Sequence, residues 1–172
     1  DDGGDDGGDG GDGALTGTPN WDCDGDGVLD NYSDYQNNGS ITLAILIGGV
    51  NAVSEGDLFA AFVGDEQRGA GIVQTVPDVF PVFGEWAGQN QFASIIYSNE
   101  SSGESLTFKF YDNESNSIYD LGQTFEFVVD MALGDATDPV LFSPSGISSD
   151  ECVTCDGDSC YDGSSDGGSC DD

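Results

Sequence analysis

Residues 105–111 read Ser-Leu-Thr-Phe-Lys-Phe-Tyr, a stretch in which apolar and polar side chains alternate. Successive side chains of a β-strand point to opposite faces, so Leu106, Phe108 and Phe110 would share one face. Residues 123–129, Gln-Thr-Phe-Glu-Phe-Val-Val, repeat this period of two after a polar loop. Both patterns indicate half-buried strands of a sheet, and if the two strands are neighbours we expect a cross-strand pair between Lys109 and Glu126.

Further apolar runs surround these two strands. Ile41–Ile47 is the most hydrophobic, and others follow at Leu58–Val63, Gly71–Val76 and Phe92–Tyr97. Glycine or proline marks the boundaries, and no segment combines a 3.6-residue period with helix caps. About seven or eight short strands in this space predict an all-β fold, an antiparallel β-sandwich that is Ig-like or jelly-roll-like. A barrel is the alternative.

The charge of the chain excludes several classes of partner. There are 34 acidic residues against 2 basic ones, which gives a formal net charge of −32. Such a charge repels phosphate, so we expect neither nucleic acid nor an anionic membrane surface as a partner. No stretch approaches the ~20 apolar residues of a membrane-spanning helix, so we expect no membrane insertion.

The composition also argues against an enzyme. The chain has no histidine, which excludes Ser-His-Asp and Cys-His catalytic groups and imidazole-based zinc sites within it. Its two basic residues, Arg68 and Lys109, are too few for a clamp on a transferred phosphate. A glycosidase needs two carboxylates about 5–10 Å apart in a cleft, and no acidic pair stands out. We therefore expect no catalytic residues.

The strongest chemical signal is an aspartate loop. Residues 22–30 read Asp-Cys-Asp-Gly-Asp-Gly-Val-Leu-Asp, which places carboxylates at alternate positions, with Gly27 at the turn. Ca²⁺ takes about six to eight oxygen ligands, and this spacing supplies most of them. An acidic tract that binds nothing is the alternative. We predict a Ca²⁺ site whose ligands are Asp22, Asp24, Asp26, the Val28 carbonyl, Asp30 and Asp34.

The loop departs from an EF-hand, because the closing position falls on Ser33 and no helices are predicted around it. Residues 22–34 instead resemble the calcium loops of thrombospondin type 3 repeats and related bacterial linker repeats, which share the Asp-Xaa-Asp-Gly-Asp-Gly pattern. Residues 56–69, followed by 106–112 and 118–121, resemble β-sandwich repeats of secreted bacterial surface proteins. These resemblances imply a surface-exposed adhesive or architectural module.

The composition divides the chain into four parts. All ten phenylalanines lie between residues 40 and 147, whereas residues 1–13 consist of Asp and Gly and should form a flexible linker. The similar acidic ends favour one unit of a longer array or a processed precursor, with a mature exported chain as the alternative. We assign an acidic Asp/Gly linker to 1–19, the calcium-binding loop segment to 20–39, the β-sandwich to 40–149 and a flexible Cys-containing acidic tail to 150–172.

The cysteines predict disulfides in an exported protein. Cys23 is placed to tie the aspartate loop to the tail, and an odd count leaves one thiol free or paired between chains. The Cys152-Val-Thr-Cys155 spacing also fits half of a zinc ribbon or a redox pair, although a suitable second pair is missing. The five candidates are Cys23, Cys152, Cys155, Cys160 and Cys170.

Asn-Xaa-Ser triplets support an extracellular or cell-surface location, although the triplet also occurs by chance. The candidate glycosylation sites are Asn31, Asn38, Asn99 and Asn113.

We expect a calcium-stabilised structural subunit of an extracellular fibre or adhesin that assembles head to tail with copies of itself. The apolar run Ile41–Ile47 favours an ordinary central strand, and strand addition to a neighbouring subunit is the alternative, since the run lies next to an acidic linker. The second hypothesis is a calcium-dependent carbohydrate-binding module with an aromatic stacking platform, against which simple packing must be weighed. The aromatic candidates are Trp86, Tyr97, Tyr111 and Tyr119.

Overall fold

The alternating segments form strands, and the all-β prediction is confirmed. The computed structural model describes residues 15–148, 152–157 and 160–162, with the backbone alone for 15, 16, 161 and 162. These residues contain two 3-10 turns, Tyr32–Asp34 and Gly84–Trp86, and no α-helix. The strands are β1 (Leu15–Thr16), β2 (Asn37–Ile47), β3 (Val50–Asn51), β4 (Leu58–Val63), β5 (Glu66–Thr75), β6 (Asn90–Ser98), β7 (Ser102–Asp112), β8 (Ser117–Leu121), β9 (Phe125–Val128), β10 (Ala132–Leu133), β11 (Val140–Phe142), β12 (Pro144–Ile147) and β13 (Tyr161–Asp162).

Eleven strands form one sheet in the order β10-β2-β6-β5-β4-β7-β8-β12, in which β3 and β11 also pair with β2, and β9 pairs with β7. Strands β1 and β13 form a separate antiparallel pair. The expected antiparallel pairing holds everywhere except at β10 and β11, which run parallel to β2 over two and three residue pairs. The chain reaches this edge of β2 through the loop that follows β9, and not through a hairpin with β2.

The sheet curls so that strands far apart in the strand order meet across the interior. Phe142 lies on β11 at one end of the sheet, yet its ring centroid is 5.9 Å from Phe59 on β4 and 4.9 Å from Phe108 on β7. The Asp130 backbone N–H also donates to the Asn38 carbonyl at 2.7 Å, next to the β2 edge. One face of the curled sheet therefore encloses the core from two sides.

Phenylalanine dominates that core because the period-two pattern sends every second side chain inward. The inward residues predicted for the two alternating strands are in place, with Phe108 and Phe110 buried and Phe127 fully buried. The ring of Phe108 also contacts that of Phe125 at a centroid distance of 6.1 Å. Contacting aromatic rings of this kind add to the hydrophobic free energy of burial.

The opposite face of the sheet is covered by the N-terminal loop and the C-terminal segment. A second apolar cluster joins Trp21 and Cys152 to Ala60, Tyr111 and Ile118, which lie on β4, β7 and β8. Side chains on both faces of these strands are thus buried in this region. This explains why Leu58–Val63 is apolar on both faces. The predicted linker 1–19 and tail 150–172 lie largely outside the described residues.

The structure decides two local expectations. Ile41–Ile47 is a central strand, because β6 pairs with one edge of β2 and both β10 and β11 pair with the other. A cross-strand pair of Lys109 with Glu126 would require β7 and β9 to be in register there, but Glu126 lies opposite Ser105. Lys109 is opposite Asp120 on β8 and forms an ion pair with it.

Candidate metal centre

The aspartate loop is fastened to the sheet by two apolar side chains. Trp21 and Leu29 stand at its two ends, and both are buried. The Trp21 ring packs edge-on against Phe62 with a centroid distance of 6.2 Å, and Gln67 Nε2 donates a 2.8 Å hydrogen bond to the Trp21 carbonyl. These contacts fix the ends of the loop and leave most of its acidic side chains at the surface.

Disulfides attach the same loop to the C-terminal segment. Cys23, inside the loop, bonds to Cys155 across 132 residues, with a Cα–Cα distance of 5.5 Å. Cys152 bonds to Cys160. Cys152 and Cys155 therefore have different partners and do not form the half zinc ribbon that their spacing also allowed. Cys170 lies outside the described residues.

Three carboxylates of the loop converge. Oxygen atoms of Asp22, Asp24 and Asp30 all lie within 4.8 Å of one another, so that one ion could contact all three. Asp22 is buried, whereas Asp24 and Asp30 are exposed. An all-oxygen donor set of this kind suits a hard cation such as Ca²⁺ or Mg²⁺, and the exposed side leaves room for water ligands.

Backbone donors hold the buried carboxylate in place. Gly25 N–H donates to Asp22 Oδ1 at 3.1 Å, and Gly27 N–H donates to Asp22 Oδ2 at 2.7 Å. Both glycines have positive φ, +74° and +79°, which a residue with a Cβ adopts at a cost. A Cβ on Gly27 would also lie 3.0 Å from Ile72 Cγ1 on β5. The two glycines thus let the chain wrap around Asp22.

The same environment shifts two pKa values in opposite directions. Burial raises the pKa of Asp22, and the neighbouring Asp24 and Asp26 carboxylates act in the same direction, although the Gly27 N–H opposes them. The Asp26 backbone N–H, which donates to Asp24 Oδ1, lowers the pKa of Asp24. A bound cation would relieve the repulsion among these groups, since it favours their charged forms.

The other predicted ligands take different local partners. Asp26 Oδ1 accepts a hydrogen bond from the Val28 N–H at 2.9 Å, and Asp34 Oδ2 accepts one from Asn31 Nδ2 at 3.1 Å. Neither carboxylate belongs to the group of three. Ligation by Asp26, Asp34 and the Val28 carbonyl stays a prediction. Asp30 Oδ2 accepts a hydrogen bond from the Cys23 N–H at 3.2 Å. This bond links the disulfide-bonded Cys23 to the group of three carboxylates.

The two basic residues form their ion pairs with other acids. The Arg68 guanidinium, which is buried, binds both oxygens of Glu104 at 2.6 and 2.9 Å and also pairs with Glu66. These acids raise the pKa of Arg68, and the Arg68 contact lowers the pKa of Glu104. Lys109 pairs with Asp120. Both cations therefore compensate the charge of acidic side chains on the strands of the sheet.

The predicted glycosylation sites and the aromatic residues of the predicted stacking platform differ in their exposure to solvent. All four sequon asparagines are exposed, namely Asn31, Asn38, Asn99 and Asn113. Asn38 lies within β2, and Asn99 Nδ2 donates to the Asp34 carbonyl, a bond that a glycan would replace. Trp86, Tyr97 and Tyr111 are buried and Tyr119 is half-buried, so they do not form an exposed stacking platform.

Comparisons with family models, with curated proteins and with solved structures give no match. Within the described ranges, none of the helical segments has the length and apolar character that crossing a membrane requires. The two disulfides are typical of secreted and extracellular proteins. We therefore infer a function from the geometry of the aspartate loop and of the sheet.

Proposed function

We propose that this protein is a calcium-stabilised structural subunit of an extracellular fibre or adhesin, which assembles head to tail with copies of itself. The observation that carries the proposal is the convergence of Asp22, Asp24 and Asp30 on a loop that is attached to both the sheet and the C-terminal segment. A cation at this point would stabilise the junction between the N-terminal segment and the β domain.

Calcium fits this role for an electrostatic reason. Three carboxylates that share one site repel each other, and a divalent ion compensates about two of their charges. The ion would thereby hold the aspartate loop in place beside the Cys23–Cys155 disulfide. The resemblance of residues 22–34 to thrombospondin type 3 loops supports calcium over other hard cations.

We also propose that the curled sheet is a variant of the β-sandwich. Support comes from Phe142, whose ring meets Phe59 and Phe108 although β11 is distant from β4 and β7 in the strand order. Contacts of this kind are typical of two inner faces packed together. Strand addition through Ile41–Ile47 would require β10 and β11 to leave β2, so we place the head-to-tail contact at the ends of the domain.

Calcium titration of matched variants tests the proposal. Asp30→Asn removes one charge from the group of three, and its amide oxygen can still accept from the Cys23 N–H. Asp34→Asn removes the same charge nearby, from a carboxylate that contacts Asn31 instead. We expect isothermal titration calorimetry to show at least about tenfold weaker calcium binding in Asp30→Asn and a small change in Asp34→Asn.

Thermal unfolding gives a second readout. Calcium at a hundredfold excess over its Kd should add about 2.7 kcal/mol to the free energy of unfolding, which corresponds to a Tm increase of roughly 5–10 °C at this chain length. If chelator changed neither the Tm nor the assembly state, calcium would have no structural role here.

A calcium-dependent glycan-binding module is the second candidate, favoured by one exposed aromatic side chain. Tyr32 follows the aspartate loop, is 52% exposed, and its ring centroid lies 5.8 Å from that of Tyr97. A ring held in this way offers a face to a sugar. Glycan-array binding in calcium that disappears in Tyr32→Ala would support this candidate, and an array without signals would remove it.

A further inference from the structure

Cys23 is adjacent to all three carboxylates of the candidate metal centre. It lies between Asp22 and Asp24 in the chain, and its backbone N–H donates to Asp30 Oδ2 at 3.2 Å. Oxygen atoms of these three aspartates lie within 4.8 Å of one another. A displacement of the Cys23 backbone would therefore change the distances among the three oxygens.

The disulfide joins Cys23 to a segment that other contacts hold to the domain. Its partner Cys155 belongs to the C-terminal segment, whose Val153 carbonyl accepts a 2.7 Å hydrogen bond from the Asn20 N–H. Cys152 of the same segment is buried in the second apolar cluster. Cys155 is thus held in place independently of the aspartate loop, and the bond to it restrains Cys23.

The apolar attachments of the loop lie at its ends. Trp21 and Leu29 are buried, whereas residues 23–26 between them are exposed. Three carboxylates at one site repel each other. Without the disulfide, the loop keeps its end contacts and the backbone donors to Asp22, but its exposed middle can spread. An ion must then bring the oxygens together again, which reduces its affinity.

The Cys23–Cys155 bond is also the more accessible of the two disulfides. Cys23 and Cys155 are exposed, whereas Cys152 is buried and Cys160 is half-buried. A thiolate reduces a disulfide by attacking one of its sulfur atoms, so the rate depends on access to that atom. We therefore expect a reductant to open the bond in the aspartate loop first.

We propose that the Cys23–Cys155 disulfide is a redox switch of the cation site, which binds calcium more tightly when the bond is formed. This inference rests on the calcium binding proposed above and specifies its regulation. The reductant is a dithiol. One of its thiolates attacks Sγ of Cys23 or Cys155 to give a mixed disulfide, and its second thiol then releases the protein. Two electrons and two protons pass to the protein, which gains two thiols, and the dithiol becomes a cyclic disulfide.

Thermodynamic linkage makes the effect reciprocal. If the bond strengthens calcium binding by a given factor, bound calcium must favour the oxidised form over the reduced form by the same factor. We expect a factor of at least about ten, which lies within the range of couplings between sites in other proteins. At saturating calcium, a factor of ten makes the reduction potential of the bond about 30 mV more negative.

Matched disulfide variants test the switch through calcium affinity. The parent and both variants carry Cys170→Ser, which removes the fifth thiol. Isothermal titration calorimetry should show at least about tenfold weaker calcium binding in Cys23→Ala/Cys155→Ala than in the parent. The control Cys152→Ala/Cys160→Ala also lacks one bond, but neither of its cysteines lies between the aspartates. It should bind calcium like the parent.

The reduction midpoint tests the switch in a chain that keeps Cys23 and Cys155. The control variant, which has this single disulfide, is equilibrated with mixtures of reduced and oxidised dithiothreitol in calcium or in chelator. Alkylation and mass spectrometry then count the free thiols. We expect calcium to make the midpoint potential at least about 30 mV more negative. Far-UV circular dichroism of the same samples shows whether the sheet stays folded when the bond opens.

The outcomes separate the switch from the calcium site. Equal calcium affinity in the two double variants, or a midpoint that calcium does not shift, would overturn the switch while the calcium site stands. Loss of the β signal together with the bond would also overturn it, because the disulfide would then hold the fold and not the site. If the oxidised parent bound no calcium, the calcium-stabilised subunit and the switch would both be wrong.

Discussion

The two disulfides offer a test of how the ends of the chain stabilise the domain. One bond closes a loop with a sequence separation of 132 residues between Cys23 and Cys155, and the other closes one of 8 residues between Cys152 and Cys160. We compare the double variant Cys23→Ser/Cys155→Ser with Cys152→Ser/Cys160→Ser. Both carry Cys170→Ser, which prevents thiol exchange with the fifth cysteine.

The expected magnitudes follow from loop length. A disulfide restricts the unfolded chain, and the entropy removed grows with the logarithm of the number of residues in the loop. For the separation of 132 residues this amounts to about 5 kcal/mol, and for the separation of 8 residues to about 2.5 kcal/mol. The first value is a large part of the about 5–15 kcal/mol that typical domains have in total.

Urea unfolding followed by tryptophan fluorescence measures both losses, because Trp21 reports on the N-terminal loop and Trp86 on the β5–β6 connection. The variant without Cys23–Cys155 should lose about twice as much free energy of unfolding as the variant without Cys152–Cys160. Equal losses, or a larger loss for the short loop, would refute the entropic reasoning and indicate that the folded state of the tail determines the effect.

Two further predictions concern the sheet. Glu104→Gln leaves Arg68 with a weaker partner and should cost about 2 kcal/mol at pH 7 in denaturant unfolding. Because Arg68 lowers the pKa of Glu104 in the folded state, the difference from the wild type should persist above about pH 4.3 and shrink as the pH falls below it. The exposed control Glu126→Gln should change the free energy of unfolding little at pH 7. Phe108→Ala should lower the free energy of unfolding by about 3–5 kcal/mol. A loss under about 1 kcal/mol would contradict the packing of its ring against Phe142.

Local patterns predicted strands β4, β7 and β9 well, whether one face of the strand is buried or both. Leu58–Val63 coincides with β4, and the alternating stretches correspond to β7 and β9. Periodicity did not indicate β8, whose residues 118–121 were singled out only by the resemblance to β-sandwich repeats. This strand takes the place next to Lys109 that Glu126 was expected to fill. The parallel pairing of β10 and β11 also escaped prediction, because it depends on contacts distant in sequence.

For the aspartate loop, too, the local sequence predicted only part of what the structure shows. The Asp-Xaa-Asp-Gly-Asp-Gly spacing pointed to Asp22, Asp24 and Asp30, and the structure groups them. The spacing alone did not separate them from Asp26, whose carboxylate bonds to the N–H two residues later in the manner of an Asx-turn. Asp24 accepts the same kind of bond from the Asp26 N–H, so no local preference of Asp distinguishes the two residues, and only the folded loop separates them.

The distribution of charge connects the loop to the rest of the molecule. Arg68 and Lys109 form ion pairs with acids of the sheet, so these cations help to stabilise the β domain. At the aspartate loop, backbone N–H groups and a covalent bond hold Asp22, Asp24 and Asp30 together against their mutual repulsion. A divalent cation bound to these three carboxylates would relieve their repulsion at neutral pH. The same ion would then hold the aspartate loop, which the Cys23–Cys155 disulfide attaches to the C-terminal segment, against the sheet.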